Sequence, residues 1–480
     1  MTSIPSVFAA TSLGVNPPQR RDDHLELRCH TGVLCFVYNS DNLSKRVVSR
    51  GPAFTHLKNN WSTFMFRKVS LRPSLLAVVC LALAFAGQSA HASTVGVGGC
   101  TNFVNFTTIS QAISAVPSGS TIMVCPGNYF EQLLITKKLT LEGVASGNEN
   151  AAVIYPPAAG LVTNTSDARG AVAAQILVQG TAGPVKITNL TVDGTGNNYT
   201  SGDLRGILYQ DASGTVLHVA ARNQIPGGTL NGDQSGQGIM VETTSSSSAS
   251  LTVENSSVHN YNKNGIVARY AGASLTATGN FVQGAGAVSG SAAQNGIEIA
   301  FNGATGSIKT NVVIDNVYYD PTSSSSAGIL LYDAKEDASI QVSGNTVGNS
   351  QEGIQLFTDS PGTYGDGVTV STNKILGTSS FDAIDVCTSD NVINGNTIVN
   401  AAESGVHFDS SCGAGNANNA STNTFIESAC AGYLEDSGTS NNNAAGTYLD
   451  VPFEIATSTA GCSIPQAQQA HGRTGSKIRP

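Results

Sequence analysis

The sequence is poor in several residue types on which common functions depend. Only 12% of its 480 residues are charged and 6% are aromatic, and there is one tryptophan. Acidic residues outnumber Lys and Arg by 33 to 24, so the chain lacks the basic surface with which proteins bind nucleic-acid phosphates. It also has no Cys-x-x-Cys pair and no Cys/His zinc spacing. We therefore predict no nucleic-acid partner and no metal site.

Turn-forming residues between short apolar stretches are abundant instead. The chain has 52 glycines, and Ser, Thr, Asn and Gly cluster throughout. This mixture is typical of many short strands joined by turns, not of long amphipathic helices. Disorder is the alternative for so polar a chain, but 40% of the residues are hydrophobic and regularly placed, which provides enough apolar surface for a buried core.

Residues 65–92 have the pattern of a secretory signal peptide. A basic start precedes an apolar run at 75–86 and a small-residue cleavage site at Ala90-His91-Ala92. The apolar run is short for a membrane span. Because a signal peptide begins its chain, we expect Met65 to be the true start and residues 1–64 to be a mis-annotated or disordered extension. The alternative is a genuine extension followed by an uncleaved signal anchor.

Removal of residues 1–92 makes the chain more acidic. It leaves 14 Lys and Arg against 29 Asp and Glu, a net charge of about −15. We expect a secreted or periplasmic monomer with no stable membrane span, one repeat domain at 93–464 and a flexible tail at 465–480. This charge would repel an acidic polysaccharide unless a basic patch or bound cations offset it.

Six of the nine cysteines lie beyond residue 92. An even number in an exported chain favours disulfides over metal ligation. Six cysteines allow 15 pairings, and proximity in the sequence favours three that would crosslink the two ends of the domain. These three are Cys100–Cys125, Cys387–Cys412 and Cys430–Cys462.

A short unit of glycine, Ile or Val, any residue and an apolar residue recurs at intervals of 22 to 32 residues. It begins at Gly206, Gly238, Gly265, Gly296, Gly328, Gly353, Ala383, Gly405 and Gly432. A repeat of this length indicates a solenoid, in which each coil packs on the next. Because the apolar residues alternate with a period of two, the faces of the solenoid are strands. We therefore predict an all-β protein, a single-stranded parallel β-helix.

Asparagine recurs at the turn after the second strand of the coil. The positions are Asn280, Asn345, Asn373, Asn396 and Asn423. Stacked in successive coils, their amides can hydrogen-bond along the solenoid axis. They are alternatively no more than frequent turn residues, but the same offset in five coils favours a ladder.

The start of the domain predicts a cap. Residues 109–116 form a short amphipathic helix that Pro117 ends, and strands follow at 121–125, 132–135 and 139–142. A helix here would cover the open end of the first coil, where unpaired strand edges invite aggregation.

The same segment resembles a known superfamily. Ile109, Ala112 and Ile113, followed by Gly127-Asn128-Tyr129-Phe130-Glu131, are similar to the "x-x-I-x-x-A-I … G-x-Y-x-E" pattern of parallel β-helix repeat proteins, among them pectin methylesterases and NosD-type periplasmic proteins. The resemblance covers roughly residues 100–450. It implies a right-handed, pectin lyase-like fold with a short N-terminal capping helix, and a carbohydrate partner.

The catalytic motifs of enzymes with this fold are largely missing from the sequence. Gln210-Asp211 stands without the other pectin methylesterase motifs, and residues 381–386 resemble only the first polygalacturonase motif. The Asp-Pro-His of alginate epimerases is absent. The sequence therefore matches no specific enzyme family.

Alternation along the strands places polar residues on one outer face. In neighbouring coils, about 4.8 Å apart, Asp385 and His407 would be stacked on an exposed sheet, with Asp409 two residues further on. Such a group can perform acid–base catalysis, and a diagonal of roughly 8 Å between the carboxylates suits an inverting glycosidase. The alternative is a solvated acidic face with one histidine. Asp385, His407 and Asp409 are our candidate catalytic residues.

Other residues of this face are candidates for substrate binding. They are Glu298, Gln355, Tyr332, Phe357 and Arg269. The rings would provide apolar surface, and Arg269 would meet a carboxylated or neutral sugar or else remain in solvent. We expect long insertions at 211–236 and 284–295 to wall a groove beside them.

The site requires no cofactor in this interpretation. An acidic loop with Asp333, Glu336 and Asp337 offers oxygen ligands for Ca²⁺, although the spacing matches no EF-hand or RTX pattern.

The sequence leaves three functions open. The first is an exported protein that binds or processes extracellular polysaccharide as a hydrolase or lyase. The second is a non-catalytic cell-surface or periplasmic protein that binds glycan or serves a structural role, which the missing motifs and the acidity favour. The third is NosD-like assistance in metal assembly, which has only the generic repeat in its favour, since no Met- or Cys-rich copper site is visible.

Overall fold

The computed structural model divides the chain into two units, Met1–Ala86 and Gly87–Pro480. The residues it describes are 26–30, 34–38, 91–144, 148–180, 183–245, 247–320, 324–336 and 339–457. The expected signal peptide up to residue 90, most of the extension at 1–64 and the tail at 465–480 lie outside the described residues. The described residues of the first unit form two antiparallel strands, Glu26–His30 and Leu34–Tyr38.

The second unit is built almost entirely of short parallel strands. Three strands per coil form three faces, and each strand pairs with its equivalents one coil before and one coil after. The first face, here called sheet 1, consists of Leu133–Ile135, Gly170–Gln179, Asp203–Gln210, Gln237–Glu242, Asn264–Arg269, Asn295–Ala300, Ala327–Tyr332, Glu352–Phe357, Ile384–Val386, Ser404–Phe408, Ala431–Glu435 and Phe453–Thr457. Thr165–Asp167 pairs antiparallel with its second strand.

The other two faces merge near the carboxyl end, where Asn419–Ile426 pairs with strands of both and Asn443–Leu449 follows it. Sheet 2 consists of Thr94–Val97, Val104–Phe106, Ser120–Val124, Leu139–Gly143, Val185–Thr188, Gly214–Leu217, Ala249–Glu254, Ala273–Thr278, Thr305–Lys309, Gln341–Ser343, Thr369–Ser371 and Val392–Asn394. Sheet 3 consists of Gly127–Phe130, Ala152–Tyr155, Thr191–Asp193, Ala220–Gln224, Ser257–Tyr261, Phe281–Gln283, Val312–Ile314, Thr346–Ser350, Lys374–Thr378 and Thr397–Val399.

The prediction of an all-β parallel β-helix is therefore confirmed. The expected insertion at 211–236 is wrong in its first half, because Gly214–Leu217 and Ala220–Gln224 are ordinary strands of sheets 2 and 3. No helix in the described residues is long and apolar enough to cross a membrane.

The repeated glycines stand where sheet 1 meets the core side chains of another face. A Cβ on Gly238 would lie 2.5 Å from Cγ1 of Val258, and one on Gly265 would lie 2.5 Å from Cγ1 of Val282. Both approaches are closer than carbon atoms tolerate, so a larger residue would push the coil wall outward. The residue after each of these glycines, Ile239 or Ile266, is fully buried in the core.

The predicted asparagine ladder is confirmed, and Asn311 extends it. Asn396 is fully buried and its Nδ2 donates to Val370 O and to Asn423 Oδ1, each at 3.0 Å. Its Oδ1 accepts from the backbone N and from Nδ2 of Asn373 at 2.9 and 3.0 Å. Each amide thus satisfies backbone groups that would otherwise be buried without partners.

The predicted cap is one short α-helix, Ile109–Ala115, which begins at Thr108. The Thr108 hydroxyl accepts from the backbone N of Gln111, and the Glu131 carboxylate accepts from the backbone N of Ile109 and of Ser110 at 2.8 and 2.9 Å. These carboxylate bonds fasten the positive end of the helix to a later coil.

Two of the three expected disulfides, Cys100–Cys125 and Cys387–Cys412, are present. Cys430 is also disulfide-bonded, and Cys462 lies outside the described residues. The first two bridges each close a sequence separation of 25 residues.

Replacing both Cys100 and Cys125 with alanine should lower the free energy of unfolding by about 3 kcal/mol, because the unfolded chain regains the loop entropy that the bridge removes. Urea unfolding under oxidising conditions measures this loss. In excess reductant the variant and the wild type should unfold at the same urea concentration. A loss below about 1 kcal/mol under oxidising conditions would contradict the expectation.

Candidate functional site

The candidate catalytic residues lie on the outer face of sheet 1. Asp385 pairs with His407 in the register of adjacent coils, as predicted, while Ile384 and Val406 beside them pair within the core. Asp409 follows the strand that carries His407.

The residues that precede the repeated glycine also contribute to the site, although the sequence pattern did not predict it. Gln237 pairs with Asn264, and Ile239 pairs with Ile266, but the glycines between them are not part of the pairing register. This irregularity reverses the alternation, and the side chain before the glycine lies on the outer face as well. Asn264 accordingly donates to Glu298 Oε2 in the next coil. The equivalent positions in later coils are Glu352 and Asp382.

His407 lies between two carboxylates. Strict alternation of side chains along the strands did not predict that these carboxylates lie next to His407. Its Nδ1 is 2.9 Å from Asp382 Oδ2, and its Nε2 is 3.3 Å from Asp436 Oδ1. Burial by itself lowers the pKa of His407, but Asp382 and Asp436 outweigh burial and hold that pKa well above its usual range. The imidazole is thus held as a cation that donates from both nitrogens.

Possible ligand atoms of Asp382, Asp385 and His407 lie within 4.8 Å of one another, and so do those of His407, Asp409 and Asp436. A metal ion would need a lone pair on an imidazole nitrogen. Both nitrogens of His407 are engaged with carboxylates, so this arrangement is a hydrogen-bonded triad.

Asp385 has one satisfied and one unsatisfied oxygen. Its Oδ2 accepts from Gln355 Nε2 at 3.1 Å, whereas its buried Oδ1 has no hydrogen-bond partner among the described residues. Burial raises the pKa of Asp385 to about 8, with a further contribution from the charge of Asp409 and an opposing one from His407. The carboxyl is therefore protonated near pH 7.

Two neighbours complete this acidic cluster. Glu352 is buried with an unpartnered Oε2, and burial, followed by the charge of Asp385, raises the pKa of Glu352 well above its usual range. The Asp409 carboxylate accepts from the backbone N and the hydroxyl of Ser411 at 2.8 and 2.7 Å. We call Glu352, Asp382, Asp385, His407, Asp409 and Asp436 the acidic cluster.

The expectation that this sheet is exposed was wrong. Asp385 is 7% exposed and His407 is 5% exposed. Their side chains are covered because carboxylates and amides of neighbouring coils close around them through hydrogen bonds, as Asp382 and Gln355 do. Such polar side chains tolerate burial when they are paired.

Four aromatic rings form a row along sheet 1, two of them predicted. Ring centroids are 6.2 Å apart between Tyr270 and Phe301, 5.1 Å between Phe301 and Tyr332, and 5.5 Å between Tyr332 and Phe357. The rings at the two ends, Tyr270 and Phe357, are partly exposed. The Tyr332 hydroxyl donates to Asp359.

Arg269 is buried beside this row, not in solvent. The centre of its guanidinium group is 5.3 Å from the ring centroid of Phe301, and its Nη2 is 3.9 Å from Glu298 Oε1. Its Nε and Nη1 have no hydrogen-bond partner among the described residues. Glu298 also accepts hydrogen bonds from Asn264 and Asn295. Held by these bonds, Glu298 supports Arg269.

The acidic loop considered for Ca²⁺ is only partly described. The buried Asp333 carboxylate accepts from the Thr358 hydroxyl at 2.7 Å and from the backbone N of Asp359 at 2.9 Å. These bonds give Asp333 a structural role at the turn. Glu336 is exposed, and Asp337 lies outside the described residues.

A second buried carboxyl lies further along sheet 1. Glu242 Oε1 accepts from Gln210 Nε2 at 2.8 Å, while its Oε2 has no partner among the described residues. Burial raises the pKa of Glu242 to about 7, and Arg205 opposes this shift.

Replacing Glu242 with glutamine should make the protein less sensitive to alkaline pH. Because the folded pKa lies above the unfolded one, Glu242 stabilises the fold fully at low pH, and this contribution is lost as the pH rises through about 7. The wild type should therefore lose more stability between pH 5 and pH 8 than the variant, by about 1–3 kcal/mol. Urea unfolding at both pH values measures the difference. The matched variant Glu254→Gln, at a partly exposed strand position, should behave as the wild type; equal pH dependence in Glu242→Gln would refute the expectation.

Residues 174–364 match a family model described as "Right handed beta helix region". Together with the strand register, this match establishes the fold. The chain is a right-handed parallel β-helix protein. No curated protein matches its sequence.

Several solved structures are similar to this chain at low sequence identity. The GH136 lacto-N-biosidase from Eubacterium ramulus has a TM-score of 0.50 and 11% identity, over 80% of this chain and 70% of that one. PfbA, a surface adhesin of Streptococcus pneumoniae, has a TM-score of 0.41 and 11% identity, over 74% and 90%. DFA-IIIase from Arthrobacter chlorophenolicus A6 without its lid has a TM-score of 0.43 and 13% identity, over 75% and 99%. At these identities the likeness concerns the fold alone.

The right-handed β-helix brings a protonated carboxyl, a carboxylate and a fixed imidazolium together on one outer face. A carboxylic acid next to an ionised carboxylate can supply and receive protons at neutral pH. The acidic cluster is therefore chemically suited to acid–base catalysis.

Proposed function

We propose that this β-helix protein is exported and hydrolyses an extracellular glycan, with the acidic cluster as its catalytic centre. The observation that carries the proposal is Asp385, a buried carboxyl with one oxygen that has no hydrogen-bond partner among the described residues and with a pKa that burial raises to about 8. A general acid in a glycosidase needs this raised pKa.

In the proposed reaction, Asp385 gives its proton to the glycosidic oxygen as the bond from that oxygen to the anomeric carbon breaks. Asp409 receives a proton from water, whose oxygen forms the new bond to the anomeric carbon. The product chain ends carry one new hydroxyl each, and the proton taken by Asp409 returns to Asp385 through solvent. His407 does not react; its charge offsets those of Asp382 and Asp436 and fixes both carboxylates in place.

The aromatic row would bind the rest of the glycan. Aromatic faces provide apolar contact for sugar rings, and Tyr270 and Phe357 are the partly exposed members. Gln355 connects this row with the acidic cluster, because it precedes Phe357 by two residues and donates to Asp385.

A second candidate function is glycan binding without cleavage. The observation in its favour is that Asp385 and His407 are largely buried, which limits access to the reacting groups, while Tyr270 and Phe357 remain available.

A polysaccharide panel tests the proposal. Each polymer is incubated with the protein and assayed for new reducing ends and for unsaturated products. Hydrolysis raises only the first signal, and lysis raises both. Binding of a polymer by gel retardation with neither signal would support the second function and contradict the first.

A further inference from the structure

A polar groove lies on sheet 1 at the far end of the aromatic row from the acidic cluster. It has a volume of about 660 Å³ and is lined by the Thr165–Asp167 strand and the side chains of Gln179, Gln210, Tyr270 and Asn302, among others. It is separate from the residues to which the proposed reaction is assigned.

The floor of the groove is held rigidly by amide side chains. Gln179 Nε2 donates to Gln210 Oε1 at 2.8 Å. Gln210 Nε2 donates to Ser166 O at 2.9 Å and to Glu242 Oε1 at 2.8 Å. These bonds fix the amides before any ligand arrives, which reduces the entropy lost on binding.

Among the described residues the groove is lined by one carboxylate and by no cation. The carboxylate, Asp167, is 3.4 Å from Arg205 Nη2, which lies nearer to Asp203, at 2.7 Å. The remaining polar lining groups are hydroxyls and amides. Such a lining suits the hydroxyl groups of an uncharged sugar and offers no unpaired cation to a carboxylated one.

Tyr270 provides an apolar wall and connects the groove with the rest of the site. It is a bulky residue with a φ of 73°, a conformation that such residues rarely adopt and that often occurs at ligand sites. Its ring begins the row that continues through Phe301 and Tyr332 to Phe357.

The Tyr270 wall of the groove follows the strand Asn264–Arg269, four coils from Asp385. Gln210, on the groove floor, is six coils from Asp385, since their strands are separated by six steps of sheet pairing. With about 4.8 Å per coil, this separation is roughly 29 Å. At the other end, the carboxyl groups of the acidic cluster would repel the carboxylates of a uronate chain.

We propose that the groove is a distal subsite for an uncharged sugar unit, so that the protein prefers neutral glycan chains long enough to span it and the acidic cluster. This inference rests on the proposed function, in which the glycan lies across the acidic cluster and extends along sheet 1. It adds the class of substrate and the dependence of binding on glycan length.

Calorimetric titration of the Asp385→Asn variant tests the inference without cleavage. The probes are gluco-, manno- and xylo-oligosaccharides of three and eight units, and oligogalacturonides of the same lengths. We expect at least one neutral octamer to bind tenfold or more tightly than its trimer and than the galacturonide octamer. Adding Tyr270→Asn, in which asparagine tolerates the left-handed backbone, should remove the advantage of the octamer over the trimer.

Tyr155→Asn, on sheet 3, is the matched control and should keep the full length dependence. Gln210→Ala provides a second groove variant if Tyr270→Asn fails to fold. Tighter binding of galacturonide, length dependence that survives both groove variants, or no binding of any octamer would overturn the inference. If the wild type cleaves a glycan while the length dependence survives in both groove variants, only the groove assignment fails. If octamers bind through Tyr270 but are never cleaved, only the proposed hydrolysis fails.

Discussion

Replacing Asp385 with asparagine should lower kcat on the substrate found in the panel by roughly a hundred- to ten-thousand-fold, the usual contribution of a general acid. The amide keeps the hydrogen bond from Gln355 but cannot supply the proton. Substrate binding should change little, because the side chains of the aromatic row are untouched.

The pH profile gives a second readout for the same residue. As the pKa of Asp385 is about 8, the wild-type rate should fall as the pH rises through this value, and the residual rate of Asp385→Asn should lack that fall. The titratable groups that face Asp385 are Asp382 in its own coil and Glu352, His407 and Asp409 in the neighbouring coils. Each of them shifts the position of this limb.

The matched control is Asp390→Asn. Asp390 is exposed, lies beyond the Cys387 end of the same strand and has a φ of 57°, a conformation that asparagine adopts readily. Its kcat should equal that of the wild type. An Asp385→Asn variant that retains more than a tenth of the wild-type kcat would remove Asp385 from the mechanism.

Replacing Asn396 with alanine should cost about 3–5 kcal/mol of unfolding free energy. The change removes four hydrogen bonds in the buried ladder, takes one donor from the carbonyl of Val370 and leaves the backbone N of Asn373 and the side-chain amides of its neighbours without these partners. Each such buried group costs about 1–3 kcal/mol. Urea unfolding followed by circular dichroism measures the loss.

Asn394→Ala is the control, two residues earlier in the same coil. Asn394 is a partly exposed strand residue, and its replacement should cost less than about 1 kcal/mol. Similar losses for the two variants would mean that the ladder contributes no more than an ordinary surface amide.

Much of the architecture followed from local pattern. The spacing of Gly238 and Gly265 and the period-two alternation after them predicted coils, and the recurring Asn373 and Asn396 predicted the ladder. Both predictions were confirmed because every coil of a solenoid repeats the same local structure. The neighbours of a residue are therefore the equivalent residues one coil away. Two disulfides followed from the same proximity.

The candidate site was only half predictable. Asp385 and His407 stack as their shared offset from the glycine predicted. Glu352 and Asp382 were missed because their positions precede the glycine, where strict alternation places side chains inside the coil. In the folded chain the glycine is not part of the pairing register. This irregularity places the side chains before the glycine on the outer face.

The low charge and the excess of acidic over basic residues, with which this sequence was first described, predict no nucleic-acid partner, and the recurring glycine unit predicted a repeat. The sequence by itself determined the solenoid, its ladder and the cap, because these depend on contacts that recur at a fixed spacing. The tertiary structure alone decided that Asp382, Asp385 and His407 come together across coils, that Arg269 lies beside an aromatic row, and that burial raises the pKa of Asp385. Those properties depend on burial and on which carboxylates become neighbours across coils. The period of the repeat predicts neither of these.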